Sequence, residues 1–236
     1  MLMLPVAILA GGLATRLRPI TETIPKALID VGGMPFVVRQ LNYLRHQGVT
    51  RVVLCIGYLG EQVKAVLGDG SAYGLEVRYS HDGDKLLGTG GTIKQALPLL
   101  GDRFFVLYGD SYLPIDFQMV ERRFQSSCKP ALMTVFRNAD RWDKSNVEFK
   151  DGQIIEYNKR IPRPEMAHID YGLGVLSSTV FRGMSSDEPF DLADVYHELS
   201  LCGELAGQEV FERFYEIGSH QGLEEAIRFF EEGKIA

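Results

Sequence analysis

The chain has 236 residues, 45% of them apolar, so it can bury a substantial core, and its length suits one globular domain. Its 25 Lys and Arg against 31 Asp and Glu give a net charge of −6, which lacks the basic footprint of a nucleic-acid-binding protein. The cysteines, Cys55, Cys128 and Cys202, are odd in number and widely spaced, which argues against a disulfide framework and a zinc site, and we predict reduced thiols in a cytoplasmic protein.

The first predicted element is an apolar stretch that ends at Gly11 and Gly12. It lacks a positively charged leading region and is too short to cross a membrane, so we expect a buried strand and no membrane association. Similar runs, rich in β-branched and aromatic residues, predict the other strands of the first half. Together these strands are Leu4 to Leu9, Arg51 to Ile56, Leu75 to Tyr79, Arg103 to Tyr108 and Ala131 to Phe136.

Helical patterns separate these strands. One helix places Val37, Leu41 and Leu44 on a single face and is closed by Gly48, and another is capped by Asp116. Strands that alternate with helices predict a mostly parallel sheet with helices on both faces. Ligands of such sheets bind outside the carboxyl ends of the strands, so we expect the chemistry on the loops that follow them.

The pattern changes in the second half of the chain, from about Val147. Short predicted strands are followed by a helix from Leu192 to Leu201, and this region suits a lid or a subregion that binds a second substrate. A last helix begins near Ser219 with an apolar face that suits packing against the sheet. The predicted short strands are Val147 to Phe149, Gln153 to Tyr157 and Tyr171 to Leu176.

The loop after the first strand carries the most informative residues. Small residues from Ala10 to Thr15 let backbone N–H groups approach phosphate oxygens, and Arg16 and Lys26 supply positive charge for a polyphosphate. A Gly-Gly pair alone is equally consistent with a plain turn, but the adjoining Thr-Arg and Pro-Lys favour a phosphate loop. Neither G-x-G-x-x-G nor a P-loop is present, which disfavours a dehydrogenase.

A second glycine-rich segment runs from Leu87 to Thr92 and opens a predicted helix. Its glycines would permit close contact with a flat ligand, so base and ribose contact is the functional interpretation. A glycine-rich helix start without a ligand is the alternative.

Charged residues near strand ends supply candidate ligands. Asp110 follows a strand and could hold Mg²⁺, and Glu216 is a second candidate acid. Lys159 could hold the phosphate of an acceptor. Considered one at a time, each is also consistent with an ordinary turn or surface residue.

Other catalytic chemistries find no support in the sequence. The five histidines show no metal-ligand spacing, and no G-x-S-x-G marks a nucleophilic serine. Trp142 is expected to fill the core together with the phenylalanines, because the acidic balance argues against stacking on nucleic acid.

Taken in order, these segments resemble the sugar-1-phosphate nucleotidylyltransferase family. Members begin with a strand, a Gly-Gly-x-Gly-Thr-Arg-Leu loop and a Pro-Lys, which here read Gly11 to Leu17, Pro25 and Lys26. The likeness covers nearly the whole chain through weaker matches at Gly88 to Gly91, Gly109, Asp110, Lys159, Tyr171, Gly172, Ile217 and Gly218.

The resemblance implies a fold and a division of labour. The fold is a Rossmann-like three-layer α/β/α sandwich with a mostly parallel central sheet, of the GT-A-like nucleotidyltransferase type. One domain would comprise a nucleotide-binding part at 1–145, a sugar-phosphate-binding part at 146–215 and a C-terminal helix at 216–236. We expect no left-handed β-helix and no acetyltransferase activity.

The resemblance also implies site roles. Arg16, Lys26 and Asp110 would be catalytic, and Asp110 and Glu216 would hold Mg²⁺. Acceptor contacts would come from Gly109, Lys159, Tyr171 and Gly172. The nucleotide-binding residues would be Leu9, Ala10, Gly11, Gly12, Ala14, Thr15, Arg16, Lys26, Gly88, Thr89 and Gly90.

Two positions depart from the family pattern. Ala14 stands where glycine is usual and should be tolerated if its φ is negative. Glu216 stands where the second metal-binding residue is usually Asp, which lengthens the arm by one methylene.

The partners implied are a nucleoside triphosphate and a sugar 1-phosphate, without nucleic acid or membrane. The compact length and the Leu-Gly-Thr-Gly-Gly form most resemble D-glycero-D-manno-heptose 1-phosphate guanylyltransferases, which use GTP. A UTP-dependent enzyme acting on N-acetylmuramate or hexose 1-phosphate is the alternative. Two alternatives lie outside this enzyme class. One is a metal-dependent glycosyltransferase, which usually carries Asp-x-Asp where this chain has Asp110, Ser111 and Tyr112. The other is a non-catalytic NDP-sugar-binding protein. The oligomeric state is not fixed by the sequence, and a homodimer is one possibility.

Overall fold

A computed structural model describes residues 3–83, 87–185 and 188–233. The remaining residues, 1–2, 84–86, 186–187 and 234–236, fall within the three predicted parts but outside this description. The helices are α1 Phe36–His46, α2 Gly60–Leu67, α3 Gly88–Leu100, α4 Phe117–Ser127, α5 Leu192–Leu201 and α6 His220–Glu231. The strands are β1 Val6–Leu9, β2 Arg51–Ile56, β3 Glu76–His81, β4 Arg103–Tyr108, β5 Ser111–Tyr112, β6 Ala131–Arg137, β7 Val147–Lys150, β8 Gln153–Tyr157, β9 His168–Ser177, β10 Leu205–Val210 and β11 Tyr215–Glu216.

A nine-stranded sheet, in the order β3-β2-β1-β4-β9-β6-β10-β8-β7, forms the centre of the molecule. β3, β2, β1 and β4 are parallel to one another, with Val6 in register with Val52 and Phe105. β8 and β9 run antiparallel to the other strands. The α/β class with a mostly parallel central sheet is therefore confirmed, and one sheet includes strands from both predicted substrate-binding parts.

Two apolar clusters lie on opposite faces of this sheet, because successive strand residues point to opposite faces. Val6 and Ile8 of β1 belong to the cluster that also contains residues of α1, α4 and α6. Ala7 belongs to the other cluster, with residues of α3 and α5. The buried large side chains contribute about 1.5–3 kcal/mol each by leaving water. This arrangement is the predicted three-layer sandwich.

Two predicted helix starts are confirmed by their caps. Asp116 Oδ1 accepts hydrogen bonds from the backbone N–H groups of Gln118 at 2.7 Å and Met119 at 3.2 Å. Ser219 Oγ accepts one from Gly222 N at 3.1 Å, so α6 begins where predicted. These side chains satisfy N–H groups that have no partner inside the helix.

Several elements differ from the predictions. β1 begins at Val6 and not at Leu4. α2 and β10 were not expected from the sequence. β10 contains Gly207, and glycine inside a strand usually weakens it. A Cβ there would lie 2.5 Å from the ring of Phe149, so packing against this residue of β7 requires glycine at this position.

The cysteines are free, as expected; Cys55 is buried, whereas Cys128 and Cys202 are exposed. Across the described ranges, helices long and apolar enough to cross a membrane are absent.

Candidate active site

The site lies where parallel strands end. β1 and β4 are neighbours, so the loop after Leu9 and the turn after Tyr108 leave the sheet side by side. A two-stranded antiparallel sheet pairs Glu216 of β11 with Ser111 of β5, and Ile217 N donates to Asp110 O at 2.9 Å. This pairing brings the two predicted acids together, although more than a hundred residues separate them in the sequence.

The phosphate loop contains a strained residue. Ala14 has φ 48° and ψ 42°, in the left-handed region, so the condition on which we expected alanine to be tolerated is not met. A non-glycine residue there costs about 1–2 kcal/mol. Hydrogen bonds hold the conformation, since Ala14 O accepts from Thr21 Oγ1 at 2.9 Å and from Leu17 N at 3.1 Å.

A first cavity of about 510 Å³ opens beside this loop. Most of the predicted nucleotide-binding residues line it: Leu9, Ala10, Gly11, Gly12, Ala14, Thr15, Lys26, Gly88 and Thr89. Thr92, from the second glycine-rich segment, also lines it, and so do Asp82 and Asp191, which were missed. Asp82 follows β3 in the same way that Asp110 follows β4, which is the signal that could have identified it. Thr92 Oγ1 donates to Asp82 Oδ1 at 2.8 Å, and burial raises the pKa of Asp82.

The glycines at the start of α3 have a packing role that the sequence did not predict. Gly90 does not line the cavity; a Cβ there would lie 2.4 Å from the ring of Phe190. The N–H groups of Gly90 and Gly91 donate to Phe190 O at 3.0 and 3.2 Å. Close packing of α3 against the Phe190 segment therefore requires Gly88 and Gly90, where a Cβ would lie 2.5 and 2.4 Å from Phe190 atoms, and the contact of Gly90 with a base stays a prediction.

A second cavity of about 340 Å³ adjoins the first. The predicted residues Lys159, Tyr171, Gly172 and Glu216 line it, and so does Arg16, which we had assigned to the nucleotide. Tyr171 is buried, with the residue 2% exposed, so it offers little surface to a ligand. Gly109 lines the first cavity instead. A Cβ there would lie 2.4 Å from Leu9 O, so the close approach of the two backbones requires glycine.

Asp110 lies at the junction of the cavities, since it and Tyr108 line both. Lys26 Nζ forms an ion pair with Asp110 Oδ2 at 2.6 Å. A ligand in either cavity would therefore approach the same carboxylate. This is the geometry needed to bring two phosphate groups to one point.

Asp110 and Glu216 fit a divalent cation. A Cβ on Gly218 would lie 3.5 Å from Asp110 Oδ2 and 3.0 Å from Glu216 Oε2. Because Gly218 has no side chain, there is room between the two carboxylates. Burial and the charge of Asp110 raise the pKa of Glu216, while Lys26 and Arg16 act in the opposite direction. Within the described residues there is no cluster of three or more metal-binding side chains, so phosphate oxygens and water would complete the coordination of Mg²⁺.

Asp170 is a further acid in the second cavity that sequence reasoning missed. Burial raises the pKa of Asp170 to about 6. The N–H of Gly172, the charge of Lys159 and the hydroxyl of Tyr108 act in the opposite direction and lower this pKa. Gly172 N donates to Asp170 Oδ1 at 3.0 Å, and Asn146 Oδ1 accepts from Asp170 N at 3.0 Å. The position inside β9 gave no sequence signal for a site residue.

Trp142 does not fill the core, contrary to expectation. The residue is 43% exposed and lines the second cavity, and the guanidinium carbon of Arg213 lies 3.7 Å from the centroid of its ring. The acidic balance excluded stacking on nucleic acid but not contact with a small ligand.

The fold, and the two cavities that meet at Asp110, are features expected of a nucleotide-dependent transferase. The chain belongs to the Nucleotidyl transferase family, whose sequence model matches residues 6–156. It is a nucleotidyltransferase, and that enzyme class agrees with the phosphate loop and the acid pair described above.

Named relatives extend this comparison. The chain is 33% identical over 225 residues to N-acetylmuramate alpha-1-phosphate uridylyltransferase of Neisseria meningitidis, covering 93% of this chain and 95% of that protein. It is 29% identical over 191 residues to D-glycero-alpha-D-manno-heptose 1-phosphate guanylyltransferase of Campylobacter jejuni, covering 81% and 84%. The crystal structure of HddC from Yersinia pseudotuberculosis complexed with GMP-PN shares the fold, with a TM-score of 0.81, 24% identity and coverage of 97% and 100%.

Proposed function

We propose that the protein is a sugar-1-phosphate nucleotidylyltransferase, which forms an NDP-sugar and pyrophosphate from a nucleoside triphosphate and a sugar 1-phosphate. The observation that carries the proposal is the position of Asp110, which lines both cavities. The proposed substrates are GTP and D-glycero-D-manno-heptose 1-phosphate, in line with the Campylobacter relative. UTP with N-acetylmuramate or hexose 1-phosphate is the alternative, which the Neisseria relative favours.

The proposed reaction is an in-line displacement. A phosphate oxygen of the sugar 1-phosphate attacks the α-phosphorus, a new P–O bond forms, and the bond to the β-phosphate oxygen breaks as pyrophosphate leaves. The nucleophile is already anionic, so no general base is needed. Catalysis therefore consists of positioning and charge stabilisation.

The residues of this chain divide that work between the cavities. The loop from Gly11 to Thr15 holds the triphosphate tail, and Lys26 offsets its charge. On the acceptor side, Arg16 and Lys159 hold the phosphate of the sugar. Mg²⁺, when bound by Asp110 and Glu216, would supply positive charge between the two phosphates.

A matrix of four nucleoside triphosphates against several sugar 1-phosphates, measured by pyrophosphate release with Mg²⁺, tests the proposal. We expect at least one pair to release pyrophosphate and give an NDP-sugar, and the Asp110→Ala variant to be far slower with that pair. A metal-dependent glycosyltransferase would instead transfer sugar from an NDP-sugar without pyrophosphate. Full activity of Asp110→Ala would contradict the assigned metal site.

A further inference from the structure

The loop between β6 and β7 presents an aromatic ring to the acceptor cavity. Trp142 is the sole tryptophan of the chain, and a large part of its surface is exposed where the residue lines this cavity. An indole ring offers a ligand a large apolar surface beside one polar N–H group.

The loop that carries Trp142 is held by its own hydrogen bonds. Asn138 is fully buried, and its Nδ2 donates to Asp143 O at 2.6 Å and Ser145 Oγ at 3.2 Å, while its Oδ1 accepts from Trp142 N at 3.2 Å. Ala139 and Asp140 are both left-handed, with φ of 47° and 56°. Such strain persists where the surroundings determine the conformation, so the loop is fixed in advance of binding.

Arg213 contacts both the Trp142 ring and the strand that carries Glu216. Its guanidinium stacks on Trp142 and also lies 5.0 Å from the ring centroid of Tyr215, the residue before Glu216. A carboxylate of Glu225 forms an ion pair with the same guanidinium. The indole is therefore positioned relative to the strand that carries Glu216.

The cavity combines two kinds of surface. Lys159 and Arg16 supply charge for a phosphate, whereas Trp142 supplies an apolar ring, and Asp170 can accept hydrogen bonds from hydroxyl groups. A pyranose has the matching chemistry, with an apolar C–H face and hydroxyl groups at its edge. A phosphate ester without a ring would engage the cations alone.

We propose that Trp142 is the platform on which the sugar ring of the acceptor lies. The ligand class is a hexose or heptose 1-phosphate in the pyranose form. This inference rests on the proposed function for the identity of the acceptor, but its test does not require turnover.

The test is a fluorescence titration, since Trp142 is the sole indole emitter of the chain. Probes are glucose, mannose and galactose 1-phosphates, with glycerol 1-phosphate and inorganic phosphate as ringless controls. We expect at least one hexose phosphate to change the emission saturably, and neither ringless phosphate to do so. No change with any hexose phosphate, or an equal change with glycerol 1-phosphate, would overturn the proposal.

Substitutions supply the second measurement. With the best acceptor, Trp142→Ala should raise KM for the sugar phosphate about 5- to 10-fold, as expected for loss of an aromatic contact. KM for the triphosphate should stay within twofold, and Trp142→Phe should recover most of the loss. Phe211→Ala is the matched control, because Phe211 is 79% exposed and does not line the cavities described above.

The outcomes separate this inference from the proposed function. Pyrophosphate release with unchanged sugar-phosphate KM in a folded Trp142→Ala protein would refute the platform alone. If no pair of substrates reacts, the proposed function fails, and the titration still decides whether a sugar ring binds at Trp142. Circular dichroism and melting of each variant establish that it is folded.

Discussion

Gln40 provides a sensitive test of how Asp110 is held. This residue of α1 is 2% exposed, and its Nε2 donates to Ser111 O at 2.8 Å and Tyr108 O at 3.2 Å, the carbonyls that flank the Gly109–Asp110 turn. Gln40→Met keeps the length of the side chain and removes both donors. We therefore expect the turn to lose its anchor while the core remains filled.

The magnitude follows from the groups left unpaired. Each carbonyl that loses its buried donor costs about 1–3 kcal/mol. Gln40 Oε1 is itself buried without a partner, so its removal returns about as much free energy as one unpaired carbonyl costs. The net loss is about 1–3 kcal/mol, or a fall in Tm of about 2–12 °C for a chain of this size. A looser Asp110 should lower kcat about 10-fold with little change in nucleotide KM.

Melting curves and steady-state pyrophosphate release measure both effects on one preparation. Gln62→Met is the matched control, because Gln62 Nε2 also donates to a carbonyl, Thr23 O at 3.2 Å, but on the exposed surface. Wild-type Tm and kcat in Gln40→Met would refute the reasoning. Recovery of full kcat on cooling would show a stability effect without a role in positioning.

Three further predictions follow. Ala14→Gly should raise Tm by about 2 °C. Relief of left-handed strain returns about 1–2 kcal/mol, which exceeds the cost of about 0.5–1 kcal/mol from the greater entropy of the unfolded chain. An unchanged or lower Tm would contradict the assigned strain. Lys26→Met should reduce pyrophosphate release about 100-fold or more, since it removes the partner of Asp110 and a charge on the triphosphate; turnover within threefold of wild type would argue against that role. Because Asp170 has a folded-state pKa of about 6, above its unfolded value, its contribution to stability falls as pH rises from about 4 to 6. The Tm of Asp170→Asn relative to wild type should therefore increase over that window and level off above it, and the opposite slope would refute the shift.

The fold was predictable where local signals were strong. Apolar runs located β2, β4 and β6, and the side chains of Asp116 and Ser219 marked helix starts because each caps free N–H groups. β10 was missed because its glycine reflects contact with Phe149, a distant packing partner that the local sequence does not display.

The residues that line the first cavity were largely predictable from the sequence, and those that line the second were less so. Gly11 and Lys26 belong to one short stretch of the sequence that matches the family pattern, so their proximity could be inferred. Arg16 turned toward the second cavity, and the left-handed conformation of Ala14 depends on a hydrogen bond from Thr21. Tertiary contacts alone bring Asp170 and Trp142 to the second cavity, one from inside a strand and one from a loop.

The most direct test of the central claim is a crystal structure with the preferred nucleoside triphosphate, sugar 1-phosphate and Mg²⁺ bound to the Lys26→Met variant, chosen to slow turnover. We expect the loop from Gly11 to Thr15 to enclose the phosphate tail and the α-phosphate to lie beside Asp110. A nucleotide bound elsewhere, with this loop turned away from the cavity, would contradict it.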